Sequence, residues 1–231
     1  MRSRLVGSVV AAAVVAAFTI SAQGQLLVTE FMANPVGSDA DGEWIEIFNS
    51  GPSMLDLTGY KVGDEETSLL DGGGTEGMYS FPSGTMMAAG QVYVIALKAT
   101  GFAALYGGQL PDFEITDTDP TVPEMAQYLT WATGNIAIAN SGDHALILDP
   151  FDSIVDGANH GSVTMFYTGA ATLGEGESYE RVPANVDTDT VDDWVVRLAG
   201  FSTPGFVTIP EPGALALGLL AASLFVTRRR V

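Results

Sequence analysis

The sequence contains no cysteine. This absence excludes disulfides, thiolate nucleophiles and cysteine metal sites, so the folded chain must be stabilised by its core alone. Histidine is nearly absent too, because only His144 and His160 occur. Two histidines cannot form a three-histidine zinc site, and the sequence has neither a His-Glu-x-x-His motif nor a Gly-x-Ser-x-Gly nucleophile elbow. We therefore predict that the protein is not an enzyme.

Positive charge is scarce in the interior of the chain. Of the nine basic residues, five lie within the first four and the last four positions. The other four are Lys61, Lys98, Arg181 and Arg197, and they stand among 27 of the 28 acidic residues. Binding to a phosphate backbone depends on positive charge that releases counterions. The sequence therefore predicts that nucleic acid is not a partner.

Residues 1–24 have the three parts of a secretory signal peptide. Two arginines precede an apolar stretch from Leu5 to Ile20, and small residues follow it, with Ala22 at position −3 and Gly24 at −1. Cleavage after Gly24 by signal peptidase releases a chain that begins at Gln25. An uncleaved anchor helix is the alternative, because the apolar stretch is only a little short for a span.

A second terminal signal is predicted in residues 208–231. Its apolar run, 213–226, spans roughly 21 Å as a helix, which is short of a hydrocarbon core of about 30 Å. The positive charge after the run stops translocation and holds the tail on the cytoplasmic side. This pattern predicts transient membrane insertion of a short transmembrane helix, with an ordinary short anchor as the alternative. The flanking residues are Pro210, Glu211 and Pro212 before the run, and Arg228, Arg229 and Arg230 after it.

These three parts, in this order at the end of the chain, resemble the PEP-CTERM sorting signal of Gram-negative bacteria. The resemblance implies recognition by a membrane-embedded exosortase, removal of the tail, and delivery to the cell surface or the extracellular matrix. The precursor would be anchored in the inner membrane. Extracellular polysaccharide or cell-surface components would then be partners of the processed protein.

Between the two signals, residues 25–207 consist of short alternating runs separated by Gly, Asn, Asp and Pro. LLVTEFM and EWIEIFN, residues 26–32 and 43–49, alternate in the manner of strands. Residues 97–107 hint at one helical turn. Many short strands with regular turns predict an all-β fold, an antiparallel β-sandwich. Further strands are predicted in LDLTGYKV, QVYVIAL, NIAIAN, HALILD, SIVDG, ESYERV and DWVVRL.

Several of these segments together resemble the lamin tail domain over residues 26–206. The strongest pieces are EWIEIFN, Leu57–Tyr60, and Ser178 and Arg181 in combination with Thr203–Gly205. The resemblance implies an immunoglobulin-like antiparallel β-sandwich, flanked in this chain by helical hydrophobic terminal segments. Residues 64–80 and 103–130 are interpreted as loop insertions into that domain.

Glu46 and Arg181 are candidates for a partly buried ion pair that pins strands together. A catalytic role for the Glu46 carboxylate is the alternative, but carboxylates with perturbed pKa values occur in structural pairs too. Trp44 and Phe48 are expected to fill a face of the sandwich.

Calcium is the one cofactor for which the sequence offers candidate ligands. Hard Ca²⁺ ions bind clustered oxygens, and the stretch NVDTDTVDDW supplies four carboxylates. The stretch does not complete an EF-hand loop, and alternating aspartates also occur as solvated turn formers. SDADGEW, residues 38–44, is a weaker candidate. The predicted calcium ligands are Asp187, Asp189, Asp192 and Asp193.

Together these features predict a non-catalytic, exported protein of the cell surface or extracellular matrix, acting as a structural or binding module. One alternative is a calcium-dependent glycan-binding module. Another is an accessory to a hydrolytic enzyme, since lamin tail domains also occur beside hydrolytic domains.

Overall fold

The computed structural model describes residues 26–73 and 76–210. Within these ranges no helix is both long and apolar enough to cross a membrane. The predicted domain boundaries near residues 24 and 208 stay predictions, as do both apolar terminal helices, which lie outside the described residues. The predicted signal residues that also lie outside them are Ala22, Gly24, Glu211, Pro212, Arg228, Arg229 and Arg230.

The described residues form thirteen strands and two α-helices. The helices are α1 (Asp39–Gly42) and α2 (Ala99–Leu105), and 3₁₀ turns occupy Leu69–Asp71 and Val191–Asp193. The strands are β1 (Leu26–Met32), β2 (Trp44–Asn49), β3 (Leu55–Asp56), β4 (Lys61–Gly63), β5 (Met78–Ser80), β6 (Met86–Met87), β7 (Val92–Ala96), β8 (Phe113–Glu114), β9 (Ala126–Gln127), β10 (His144–Leu148), β11 (Ile154–Asn159), β12 (Ser178–Arg181) and β13 (Trp194–Arg197).

The strands assemble into two sheets that face each other. The larger sheet has the order β13-β12-β1-β2-β7-β8, and the smaller has the order β11-β10-β4-β5-β9. All neighbours are antiparallel except β8, which pairs in parallel with β7 at the edge. The short strands β3 and β6 pair separately. This arrangement is a β-sandwich, as the alternating runs and the turns between them predicted, and it is immunoglobulin-like, as the resemblance to the lamin tail domain implied.

The main core lies between the two sheets. Phe31, Ile45 and Ile47 contribute from the larger sheet, and Val62 and Ile147 contribute from the smaller one. Each of these side chains is almost fully buried. Burial of a large apolar side chain contributes about 1.5–3 kcal/mol, so this layer supplies the stability that no disulfide can supply here.

Both sheets are also covered on their outer faces. On the larger sheet, Met32 and Trp44 pack against Phe102 of α2, and the Trp44 Nε1–H donates to the Tyr106 hydroxyl at 2.9 Å. On the smaller sheet, loop residues lie over Leu146 and Leu148 in the same way. Strands β1 and β2 are therefore buried along their whole length, and the prediction that Trp44 and Phe48 fill a sandwich face is confirmed.

The structure confirms most of the predicted strands and the helical turn, and it corrects four segments. LDLTGYKV forms two short strands, β3 and β4, because the chain turns at Gly59 with φ of +83°. NIAIAN forms no strand. Residues 64–80 and 103–130 are not merely insertions, because they contain the sheet strands β5, β8 and β9.

Candidate functional site

Three glutamates lie side by side on the outer face of the larger sheet. Glu30 of β1 is paired with Glu46 of β2 on one side and with Glu180 of β12 on the other. All three are buried, and we call them the carboxylate row. Like charges directly opposite each other across strands are destabilising, so this row needs hydrogen-bond donors or protons to persist.

The C-terminal segment supplies many of those donors. The backbone N–H of Gly205 donates to Glu46 Oε2 at 2.7 Å, and the Thr29 hydroxyl donates to Glu46 Oε1 at 2.6 Å. Glu30 accepts bonds from the Ser178 hydroxyl and from the backbone N–H and hydroxyl of Thr203. Segment 203–205 therefore closes over the carboxylate row.

Burial is the main cause of the raised pKa values of Glu30 and Glu46. It raises the pKa of Glu30 from 4.5 to about 7, and the neighbouring Glu180 carboxylate adds to the rise. Burial also raises the pKa of Glu46 well above its ordinary value. Glu46 is only 1% exposed, and both of its oxygens accept hydrogen bonds. The geometry suits a structural carboxylate that is sealed from substrate.

The predicted ion pair between Glu46 and Arg181 is wrong. Successive residues of a strand point to opposite faces, so Arg181 faces the core side when Glu180 lies in the carboxylate row. There the Arg181 guanidinium pairs with Asp156 at 2.9 Å and with Asp187 at 2.8 Å. Its Nε donates to the Val28 carbonyl, and its Cζ lies 4.7 Å from the centre of the Trp194 ring.

The predicted calcium residues lie beside this arginine. Asp187 is its ion-pair partner, and Asp193 accepts bonds from the backbone N–H and the hydroxyl of Thr188, at 2.7 and 2.8 Å. Asp192 is exposed, and Asp189 adopts a left-handed φ of +54° in the turn. The loop thus uses two of the four carboxylates for its own structure. Calcium binding at Asp187, Asp189, Asp192 and Asp193 stays a prediction.

The residues of the weaker calcium candidate do not converge on one point. Asp41 pairs with Lys98, and Asp39 accepts a bond from the Asn140 side chain at 3.0 Å. Glu43 turns inward instead, where its Oε2 accepts the backbone N–H of Ile138.

A different acidic group does converge, at the loop end of the β4–β5 hairpin. In this hairpin Gly63 is opposite Met78, so the continuing chain brings residues 65 and 76 face to face. One carboxylate oxygen from each of Glu65, Glu66 and Glu76 lies within 4.8 Å of the other two. We call these three residues the glutamate cluster.

Three other buried carboxylates accept hydrogen bonds from the backbone of residues 137–139. Consecutive backbone N–H groups of Ala137, Ile138 and Ala139 donate to Asp64, Glu43 and Asp143, at 2.6, 3.1 and 2.6 Å. This explains why the alternating run NIAIAN is not a strand, since side-chain oxygens take the hydrogen bonds that a neighbouring strand would accept. The carboxylates also add negative charge next to the cluster.

His144 lies against the cluster from strand β10. Its side chain is buried, and its Nδ1 is 3.5 Å from Glu66 Oε2 and 3.7 Å from Asp143 Oδ1. Neither ring nitrogen has a hydrogen-bond partner. Burial, together with repulsion from Asp143, Asp64 and the other two glutamates, raises the pKa of Glu76 to about 8.

Sequence reasoning missed the glutamate cluster. The adjacent Glu65 and Glu66 directly after a predicted strand were a visible signal, but Glu76 lies beyond a glycine-rich turn in a stretch interpreted as an insertion. Recognising MYS, residues 78–80, as a returning strand would have placed Glu76 opposite Glu65. His144 was considered as a catalytic base and as a zinc ligand, but not together with these glutamates.

Exposed aromatic side chains on a β-sandwich can bind sugar rings, but Trp131 and Trp194 both make structural contacts. Trp194 is buried, stacks on Tyr179 with ring centres 5.3 Å apart, and lies under Arg181. Trp131 is half-buried, and its Nε1–H donates to the Glu65 carbonyl at 2.8 Å.

The fold and the sealed carboxylate row define an immunoglobulin-like β-sandwich that closes on its own C-terminal segment. The chain belongs to the lamin tail domain family, since the model of that family, described as Lamin Tail Domain, matches residues 19–164. The segments with Ser178 and Thr203–Gly205 lie beyond that match, and the structure places them against β1 and β2 of the same sandwich.

Solved structures support the same architecture. A crystal structure of a DUF4876 family protein from Bacteroides thetaiotaomicron VPI-5482 is similar, with a TM-score of 0.50 and 16% sequence identity. The match covers 80% of this chain and 75% of that one, and it shows a shared fold. The comparison with curated proteins found no match.

Proposed function

We propose that this protein is a non-catalytic, exported β-sandwich module that is displayed at the cell surface or in the extracellular matrix of a Gram-negative bacterium. Its work there is structural, or the binding of matrix components such as extracellular polysaccharide. Signal peptidase removes residues 1–24, and an exosortase processes the PEP-CTERM signal at residues 208–231.

The observation that best supports this proposal is the course of residues 203–210 at the end of the sandwich. Thr203 and Gly205 are held on the carboxylate row, and Thr208 accepts one backbone hydrogen bond from Ala184. Ile209 and Pro210 then follow in an exposed segment without secondary structure. An exposed Pro210 without regular secondary structure, at the start of the Pro-Glu-Pro motif, is accessible to a processing enzyme.

The state of the buried titratable groups supports a non-catalytic role. Glu30 and Glu46, whose pKa values are raised by burial, are almost fully buried, and each of their carboxylate oxygens accepts at least one hydrogen bond. His160 is fully buried against Phe31, and burial lowers its pKa to about 4. A general acid or base must reach a substrate, and these groups do not.

Processing is tested by the intact mass of the protein recovered from the envelope and medium of its native host. We expect a product that begins near Gln25 and ends near the Pro-Glu-Pro motif, because both terminal signals are removed. A variant that lacks Arg228, Arg229 and Arg230 should keep its C-terminal tail, since the charge that stops translocation is gone.

The matched control replaces the same three arginines with lysines, which keep the charge but lose the guanidinium. Tail removal in this control alongside failure in the deletion variant would assign the effect to charge. Wild-type protein that still ends in Val231 would contradict the sorting proposal and indicate a simple membrane anchor.

A further inference from the structure

The four interior basic side chains are paired with carboxylates other than Glu66 and Glu76. Each of the four interior basic residues has a carboxylate partner elsewhere, and no ion pair among the described residues joins a lysine or arginine to Glu66 or Glu76. The pairs are Lys61 with Asp152, Lys98 with Asp41, Arg181 with Asp156 and Asp187, and Arg197 with Glu180.

The spacing of the cluster matches the spacing of ligands around one ion. Oxygens bound at about 2.0–2.6 Å from a common ion lie at most roughly 4 to 5 Å apart. The three glutamate oxygens meet that limit, at 4.8 Å or less. Three carboxylates that crowd so closely without a cation repel one another.

The environment of His144 is a second, independent observation that points to a bound cation. It is 6% exposed, and burying a polar group without a hydrogen bond costs free energy. Its Nδ1 faces Glu66 Oε2 at 3.5 Å. Two donors that each lie about 2.1 Å from a shared ion are roughly 3.5 Å apart at a tetrahedral angle. A cation between them would satisfy the nitrogen and neutralise the cluster together.

We propose that Glu65, Glu66 and Glu76 bind a divalent cation, and that the His144 side chain, whose Nδ1 faces Glu66, moves toward the same ion when it binds. An imidazole nitrogen beside carboxylate oxygens favours Zn²⁺ or Mn²⁺ over Ca²⁺, which binds oxygen alone. The ion links the loop end of the β4–β5 hairpin to strand β10 of the same sheet. This site is distinct from the aspartate stretch at 187–193, and it does not depend on how the protein is exported.

The test uses the full 231-residue chain, stripped with a chelator and held in detergent. ZnCl₂, MnCl₂ and CaCl₂ are titrated separately by calorimetry, and thermal unfolding is followed with and without each salt. At about a hundredfold above Kd, the melting temperature of the wild type should rise by about 5–10 °C. Glu66→Gln and His144→Phe should each weaken binding about 10- to 100-fold.

Glu76→Gln separates a metal ligand from a merely structural residue. Without metal this variant should melt close to the wild type, because glutamine keeps the size of the side chain, and with metal it should melt below the wild type, because one ligand is lost. A loss of stability that appears only with metal is the expected signature of a ligand. A variant that is less stable than the wild type to the same extent in both conditions would overturn the proposal.

Two control variants locate any ion that binds. Asp117→Asn removes an exposed carboxylate outside the cluster and should leave the affinity unchanged. The double variant Asp189→Asn with Asp192→Asn should also leave it unchanged. The proposal fails if none of the three ions stabilises the wild type, or if binding survives Glu66→Gln and Glu76→Gln but is lost in the double aspartate variant.

Discussion

Replacing Arg181 with methionine is expected to lower the free energy of unfolding by about 3–5 kcal/mol, because it leaves Asp156 buried as an uncompensated charge. Asp156 is held between Arg181 and the backbone N–H of Val28, which donates to it at 2.6 Å. The arginine therefore links β12, β11 and β1, and so joins the two sheets. Urea unfolding followed by far-UV circular dichroism measures the change.

The control for this variant is Lys98→Met, which removes a partly exposed ion pair with Asp41. It should change the stability far less, because solvent-exposed ion pairs stabilise little. The double variant Arg181→Met with Asp156→Leu should recover much of the loss, since it removes the stranded charge together with its partner. A single variant that unfolds at the wild-type urea concentration would show that Arg181 does not hold the sheets together.

The wrong partner for Arg181 shows where prediction from sequence stops. Strand β12 was recognised from ESYERV, and the presence of a buried pair at Arg181 was inferred correctly. The sequence does not reveal the register of β12 against β1. This register places Glu180, and not Arg181, in the carboxylate row with Glu30 and Glu46. A one-residue change in register exchanges the faces of every side chain in a strand, so the partner could not be chosen from composition.

The same reason explains the glutamate cluster and the missing NIAIAN strand. Alternation identifies a run that can lie in a sheet, but the partner of that run is a long-range property. The backbone N–H groups of Ala137 and Ile138 donate to carboxylates from distant segments, Asp64 and Glu43, instead of to a strand. The long strands β1, β2, β7 and β10 were predictable because each has its own strong pattern, whereas two- and three-residue strands such as β5 and β9 carry too little pattern to recognise.

The stability of the sandwich is expected to fall as the pH rises from about 5 to about 8, and Glu30 should account for about 3 kcal/mol of that fall. The unfolded carboxyl titrates near 4.5, whereas burial raises the pKa of the folded one to about 7. Between these values the folded state keeps a proton that the unfolded state has released. The stabilising contribution is therefore fully present below about pH 4.5 and is lost as the pH passes through about 7.

Glu30→Gln tests this assignment, because the amide carries no titrating proton. Urea unfolding at pH 5 and pH 8 should show a smaller difference in the variant than in the wild type, by about 3 kcal/mol. The variant will also be somewhat less stable at pH 5, since the amide group cannot accept every bond that Ser178 and Thr203 donate. Its diagnostic readout is therefore the pH difference and not the stability at one pH.

The matched control for the pH dependence is Glu175→Gln, which alters an exposed carboxylate and should keep the wild-type difference. An unchanged pH difference in Glu30→Gln would mean that Glu30 is ionised in the folded state. The donors from Thr203 and Ser178 would then outweigh burial, and the carboxylate row would hold the C-terminal segment through charge. A reduced difference means that Glu30 keeps its proton in the folded state. Segment 203–205, which lies immediately before Pro210, would then be held most firmly in mildly acidic solution.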